Sequence, residues 1–228
     1  MIVPKWTERK LRMDDNHGWR CKPGYTIFVA DRGAVRFDIP ETWSVQVDAE
    51  GVKIHDKPPP DDNARIQLTI FFPPPGVEMD GLPLATMLAD ALSGRAREEI
   101  RRARGAGKGH RGLLRRDHVD PLAEIEDEDD DLIAQDPITH VLRPNLEIVW
   151  TERRYVERGE QREARSRHLF ARGRGTPIGA TLPHDILPFV TMDFWPEDAP
   201  HCNAVWKELV RTLRIGEYVA DPRRGPDR

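Results

Sequence analysis

Residues 65–72 alternate strictly, with Ile66, Leu68, Ile70 and Phe72 on one side of an extended chain and Arg65, Gln67 and Thr69 on the other. Strand side chains repeat every two residues, so this pattern predicts a strand with one buried face. Pro58, Pro59 and Pro60 precede it, and Pro73, Pro74 and Pro75 follow it. Proline cannot donate to a sheet ladder, so the two runs fix where the strand stops. A lone strand has no partner for its backbone, and the flanking sequence supplies several. Residues 26–31 and 34–39, joined through Arg32 and Gly33, read as a hairpin, and 43–47 and 52–55 continue it into an antiparallel meander. Residues 146–157 and 161–172 read as a long hairpin in which Ala164, Ser166, His168 and Phe170 share a face. Residues 186–195 are apolar on both sides and suit a central strand, with Pro188 predicting a bulge or an irregular start.

Two stretches carry helical spacing. Leu84, Leu88, Ala91, Leu92, Ala96, Ile100 and Ala103 predict an amphipathic helix over 82–104, stopped by the glycines of 105–112. Near the end, Asp198 is an N-cap candidate and Pro200 falls in the first turn, while Cys202, Val205, Trp206, Leu209 and Leu213 form an apolar stripe that should pack on the sheet. A short strand is expected within 214–219. The organisation expected is a partly ordered lead-in over 1–24, one domain over 25–219 interrupted by a charged insertion at about 105–145, and a frayed tail over 220–228.

Composition removes several functions. With 35 Lys plus Arg against 39 Asp plus Glu, the net charge of -4 argues against a globally basic nucleic-acid binder. No run approaches the roughly 20 apolar residues of a membrane span, and residues 1–20 lack the apolar core of a secretory signal, so a cytoplasmic protein without membrane contact is expected. Cys21 and Cys202 form neither a disulfide framework nor a CxxC pair. No metal or cofactor is expected, since the eight histidines contain no HExxH, the pairs His17/Cys21 and His201/Cys202 each lack a third ligand, and the acidic run 124–131 lacks EF-hand spacing. Gly105, Gly107 and Gly109 around Lys108 imitate a phosphate loop, but Arg102 stands where its first glycine belongs and no Ser or Thr follows the lysine. The three serines, Ser44, Ser93 and Ser166, include no GxSxG elbow, so no catalytic residue is assigned.

Val35, Arg36, Phe37, Asp38, Ile39, Pro40, Glu41, Thr42 and Trp43 make an F-x-I-P-x-x-W phrase between two strands. The chain ends its last helix on Thr212, Leu213 and Arg214, after Trp206. Together these resemble the PsbP-like superfamily, which includes a photosystem extrinsic subunit, a Ran nucleotide-release factor and bacterial DcrB-like proteins. The resemblance implies an α+β fold, an antiparallel sheet flanked by helices on both faces as an α/β/α sandwich. It also implies a binding or assembly module rather than an enzyme, and it carries over no functional residue, because the matching positions are structural.

The expected partner is therefore another protein. Two surfaces suit it: the basic run 95–116, with Arg101 and Arg102, and the face of the 146–172 hairpin, where Arg153, Arg165, Arg167 and Arg172 cluster. Arginine recognises carboxylates there through bidentate hydrogen bonds. The alternative is an enzyme or small-ligand-binding protein with a pocket near His168, assembled with Glu152 and His184. A weak nucleic-acid contact through the basic run is a third reading, and it predicts a steep loss of affinity with salt.

Overall fold

The computed structural model describes residues 8–47, 51–74, 79, 81–93 and 131–225. Strands β1 (Tyr25–Ala30) and β2 (Val35–Pro40) pair as the expected hairpin, and β11 (Arg214–Ile215) adds to β2. The turn between them forces Asp31 and Arg32 to φ 44° and 54°. Gly33 follows at φ 106°, and a Cβ there would stand 2.2 Å from the Glu217 carbonyl oxygen, so only glycine fits.

The meander expected from the sequence is split at Pro40. The chain turns there, Trp43 N–H donating to the Pro40 carbonyl at 3.1 Å, and enters a second sheet with β3 (Ser44–Val47), β4 (Val52–His55) and β5 (Ala64–Phe71). That sheet runs β3-β4-β5-β10-β9-β8-β6, antiparallel throughout. β8 (Leu146–Glu157) and β9 (Arg162–Gly175) are the long hairpin, and β10 (His184–Phe194) lies centrally between β9 and β5. Pro188 makes no bulge: the ladder to β9 skips 187 and 188 but resumes in the same register, and Pro188 pairs with Ile70.

The segment expected to be an unstructured insertion contains two strands where it is described. β6 (Asp131–Gln135) and β7 (Thr139–Arg143) lie end to end along β8, against its two halves. Their ladder is supplied by β8, so short runs without an apolar alternation of their own still become strands. Residues 105–130 lie outside the described residues, as does the expected helix beyond 93; α1 covers Leu84–Leu92.

Helix α2 (Ala199–Thr212) forms as its stripe predicts, with Pro200 in its first turn, but Asp198 makes no side-chain capping bond. Cys202, Val205, Trp206, Leu209 and Leu213 are buried in one cluster with Phe37 and Ile39 of β2 and with Ile54, Ile66, Leu68, Ile148, Leu169, Val190 and Met192 of the large sheet. A smaller cluster joins Leu84, Leu88, Ala91 and Leu92 of α1 to Val149, Leu187 and Phe189, which have the opposite parity on β8 and β10. Among the described residues no helix is long and apolar enough to cross a membrane.

Segments expected to be a loose lead-in and a frayed tail are tied together where described. His17 is 1% exposed: its Nε2 lies 2.7 Å from the Pro222 carbonyl, and its Nδ1 accepts from Trp19 N–H at 2.9 Å. Asp14 N–H donates to the Arg223 carbonyl at 2.9 Å. Trp19, itself buried, lies under the Arg36 guanidinium at 4.7 Å.

Candidate functional site

Directly paired residues of antiparallel strands point to the same face, so the ladder places side chains in rows across the large sheet. On the α1 side, Thr69, Phe189, Phe170 and Val149 form one row. Phe71 with Leu187, and Arg172 with Glu147, form the next. The rows on either side are polar: Gln67, Thr191, His168 and Thr151 in one direction, Asp185 and Arg174 in the other. An apolar island therefore sits within a polar sheet face, and α1 lies over it.

Helix and sheet do not close completely. A cavity of about 300 Å³ remains, lined by Thr69, Phe71, Met79, Met87, Leu88, Ala91, Phe170, Leu187 and Phe189. The size falls at the lower end of the range for small-molecule pockets. One rim is built from charges. Asp185 Oδ2 accepts the Met79 N–H at 3.0 Å, and Arg172 donates both to the Met79 carbonyl and, at 2.5 Å, to Glu147 Oε2. His140 Nε2 lies 3.0 Å from Glu147 Oε1. Arg174 Nε stands 3.9 Å from Asp185 Oδ1. In the polar row on the other side His168 stacks on Phe189, ring centroids 6.2 Å apart. The sequence signal for this cavity was incomplete: Leu88 and Ala91 carry helical spacing, but nothing local announces that Met79 and Asp185 meet.

The four hairpin arginines do not form one cluster, because strand alternation divides them. Arg153 and Arg172 pair with Ser166 and Glu147 on the α1 face, whereas Arg167 pairs with Glu152 on the α2 face. Arg167 is 6% exposed and its donors are committed: Nε to Glu152 Oε2 at 2.7 Å, Nη2 to Asn203 Oδ1, and its guanidinium over Phe194 at 5.0 Å. It cannot present itself to a partner. Arg165, beside it in sequence parity, reaches Glu152 Oε1 at 3.4 Å and Glu163 at 3.7 Å. Arg153 has its own partner as well. Arg101 and Arg102 lie outside the described residues.

His168, Glu152 and His184 are not brought together. Glu152 sits on the α2 face with Arg167, His168 on the α1 face opposite Thr151, and His184 at the far end of β10. His184 instead borders a second, open concavity of about 690 Å³ with Phe72, Pro73, Ile178, Tyr218 and Asp31. Burial, with Asp31 nearby, pushes the Tyr218 hydroxyl up to about 12. Ser166 and His168 share a face as expected, yet Ser166 Oγ donates to Asp193 Oδ1 at 2.7 Å, and Asp193 also holds Arg65 at 3.0 Å. Ser166 is fully buried. The paired metal candidates are engaged otherwise: His17 as described, and His201 against the Trp43 ring. Cys202 is buried, and desolvation pushes its thiol up to about 12.

Comparison with known proteins places this arrangement. The sequence model of the Alr1449 family matches residues 26–110 and 119–219. The chain belongs to the Alr1449 family. A family relative from Nostoc sp. (strain PCC 7120), the uncharacterized protein alr1449, is 28% identical over 222 residues, covering 97% of this chain and 93% of its own. Among solved structures, the cyanobacterial PsbP (CyanoP) of Synechocystis sp. PCC 6803 superposes with a TM-score of 0.50 at 8% identity, over 87% of this chain and 98% of CyanoP. LpqN, described as involved in cell envelope biogenesis of Mycobacterium tuberculosis, gives 0.49 at 8% identity over 84% and 90%. This Alr1449-family chain therefore has a PsbP-like fold, built mostly of antiparallel sheet with two helices among the described residues.

Proposed function

We propose that this protein is a non-catalytic binding module whose recognition site is the cavity between α1 and the large sheet. The observation that carries the reading is the cavity's lining: side chains almost wholly apolar, held open under a helix, on a sheet face otherwise polar. Such a site binds apolar matter and offers no reacting group. The groups nearest to a catalytic set support this: Ser166 is buried and bonded to an arginine-paired carboxylate, and Glu152 lies across the sheet from His168. The module is taken to act in the cytoplasm. We also infer that the layers form an α/β/α sandwich, because α1 and α2 pack on residues of opposite parity.

The neutral fluorophore 1-aminoanthracene tests the site. Saturable binding of one probe per chain is expected, and Ala91→Phe, which fills the cavity, should abolish it while leaving the circular dichroism spectrum unchanged. Absence of binding, or binding indifferent to Ala91→Phe in a folded variant, would refute the reading.

A second reading, in which a protein is the partner, is favoured by the β6–β7 edge, where Leu132, Ile133 and Leu142 are half or more exposed. An edge strand with free backbone groups can accept another strand. Leu142→Lys should then weaken capture of a partner without lowering the melting temperature.

A further inference from the structure

We propose that the cavity takes the tail of an anionic amphiphile free in solution and that Arg174 receives its charged head, an assignment that rests on the binding-module reading above. The rim's charges are unequal in what they have left to offer. Glu147 is shared by Arg172 and His140, and Asp185 Oδ2 accepts the Met79 N–H, so both carboxylates are engaged. Arg172 commits Nη1 to the Met79 carbonyl and Nη2 to Glu147. Arg174 differs. Its side chain is 45% exposed, and among the described residues the carboxylate oxygen paired with it stands at 3.9 Å, too far for a hydrogen bond.

Position completes the argument. Arg174 pairs with Asp185, and Asp185 is two residues from Leu187 of the lining, which on one face of a strand is a step of about 7 Å. A ligand with its apolar part against Phe71, Phe189 and Met87 thus has Arg174 one row beyond the lining on the same sheet face. The planar fork of arginine matches a carboxylate or phosphate by paired hydrogen bonds. A cationic head would meet Arg174 unfavourably, and a neutral one would leave its donors unused.

The test displaces 1-aminoanthracene from the full chain with decanoate, 1-decanol and decyltrimethylammonium, which share a tail and differ in head charge. Decanoate should bind about tenfold more tightly than decanol, and decyltrimethylammonium most weakly. Arg174→Gln, a surface change, should erase the advantage of decanoate and leave decanol where it was. Decanoate no tighter than decanol, or an advantage that survives Arg174→Gln, overturns the head-group assignment while the apolar site stands. Sedimentation with phosphatidylglycerol vesicles, without displacement by decanoate, also overturns it. If the probe itself never binds, the binding-module reading fails first and this one with it.

Discussion

Asp38 is a carboxylate buried with little to compensate its charge. It is 1% exposed, and among the described residues neither carboxylate oxygen has a hydrogen-bond partner, although its own N–H donates to Thr212 Oγ1 at 2.9 Å. Burial raises its pKa above the ordinary 3.8, with Glu208 adding to the rise and Arg36, Arg211 and Arg214 opposing it. Between the unfolded and the raised folded value the native state holds a proton that the unfolded chain has released, so this group makes stability fall as pH rises through that window. Asp38→Asn should raise the melting temperature at pH 7 and flatten the decline from acid to neutral pH. At about 2–4 °C per kcal/mol for a chain of this size, the gain is readable by calorimetry. A variant less stable than wild type at pH 7 would show that the carboxylate is stabilising. The thiols give a second prediction at this scale. Cys202 is fully buried with its thiol pushed up to about 12, while Cys21 is only partly covered. Iodoacetamide should modify native protein at Cys21 slowly and at Cys202 only after unfolding, as peptide mapping would reveal.

Between elements, an ion pair joins β8 to β9 and its arginine also reaches α2. Arg167 links Glu152 to Asn203 and lies 5.7 Å from the Trp206 ring, inside an apolar cluster. Removing Glu152 leaves the buried Arg167 guanidinium without its counter-charge, so Glu152→Ala should cost about 3 kcal/mol, the low end for a buried pair, because Glu152 itself is only partly buried. The double change Glu152→Leu with Arg167→Met should cost much less, and a denaturant double-mutant cycle measures the difference. Trp206→Ala, which empties a buried site between α2 and the sheet, should cost about 3–5 kcal/mol. The elements themselves were largely legible in the sequence. Strand 65–72, the long hairpin and the Trp206 stripe declare themselves because burial of one face imposes a period, although the first ends at Phe71 and leaves Phe72, expected on the buried face, 40% exposed. β6 and β7 did not, since an edge strand takes its conformation from its neighbour's ladder, and their pairing with β8 spans a turn at Pro144 and Asn145 rather than an apolar pattern. The hairpin arginines misled for a related reason: proximity in sequence on two strands looks like a patch until pairing assigns each to a face.

For the whole molecule, the phrase from Val35 to Trp43 and the ending at Arg214 indicated the PsbP-like fold, since their aromatic and aliphatic residues meet in one core with α2. The site was less legible, because it is made by the sheet order. β10 brings Asp185 and Phe189 beside β5 and β9, and the turn before α1 brings Met79 onto them, contacts that span 106 residues. The most direct test uses the five methionines as reporters. Met79 and Met87 line the cavity, while Met192 is buried in the opposite cluster and Met13 lies on the lead-in. With the methionine methyl groups carbon-13 labelled, 1-decanol should shift the Met79 and Met87 signals along one saturable curve and leave Met192 and Met13 in place. Shifts spread over all the methionines, or none at Met79 and Met87, would contradict a ligand site beneath α1.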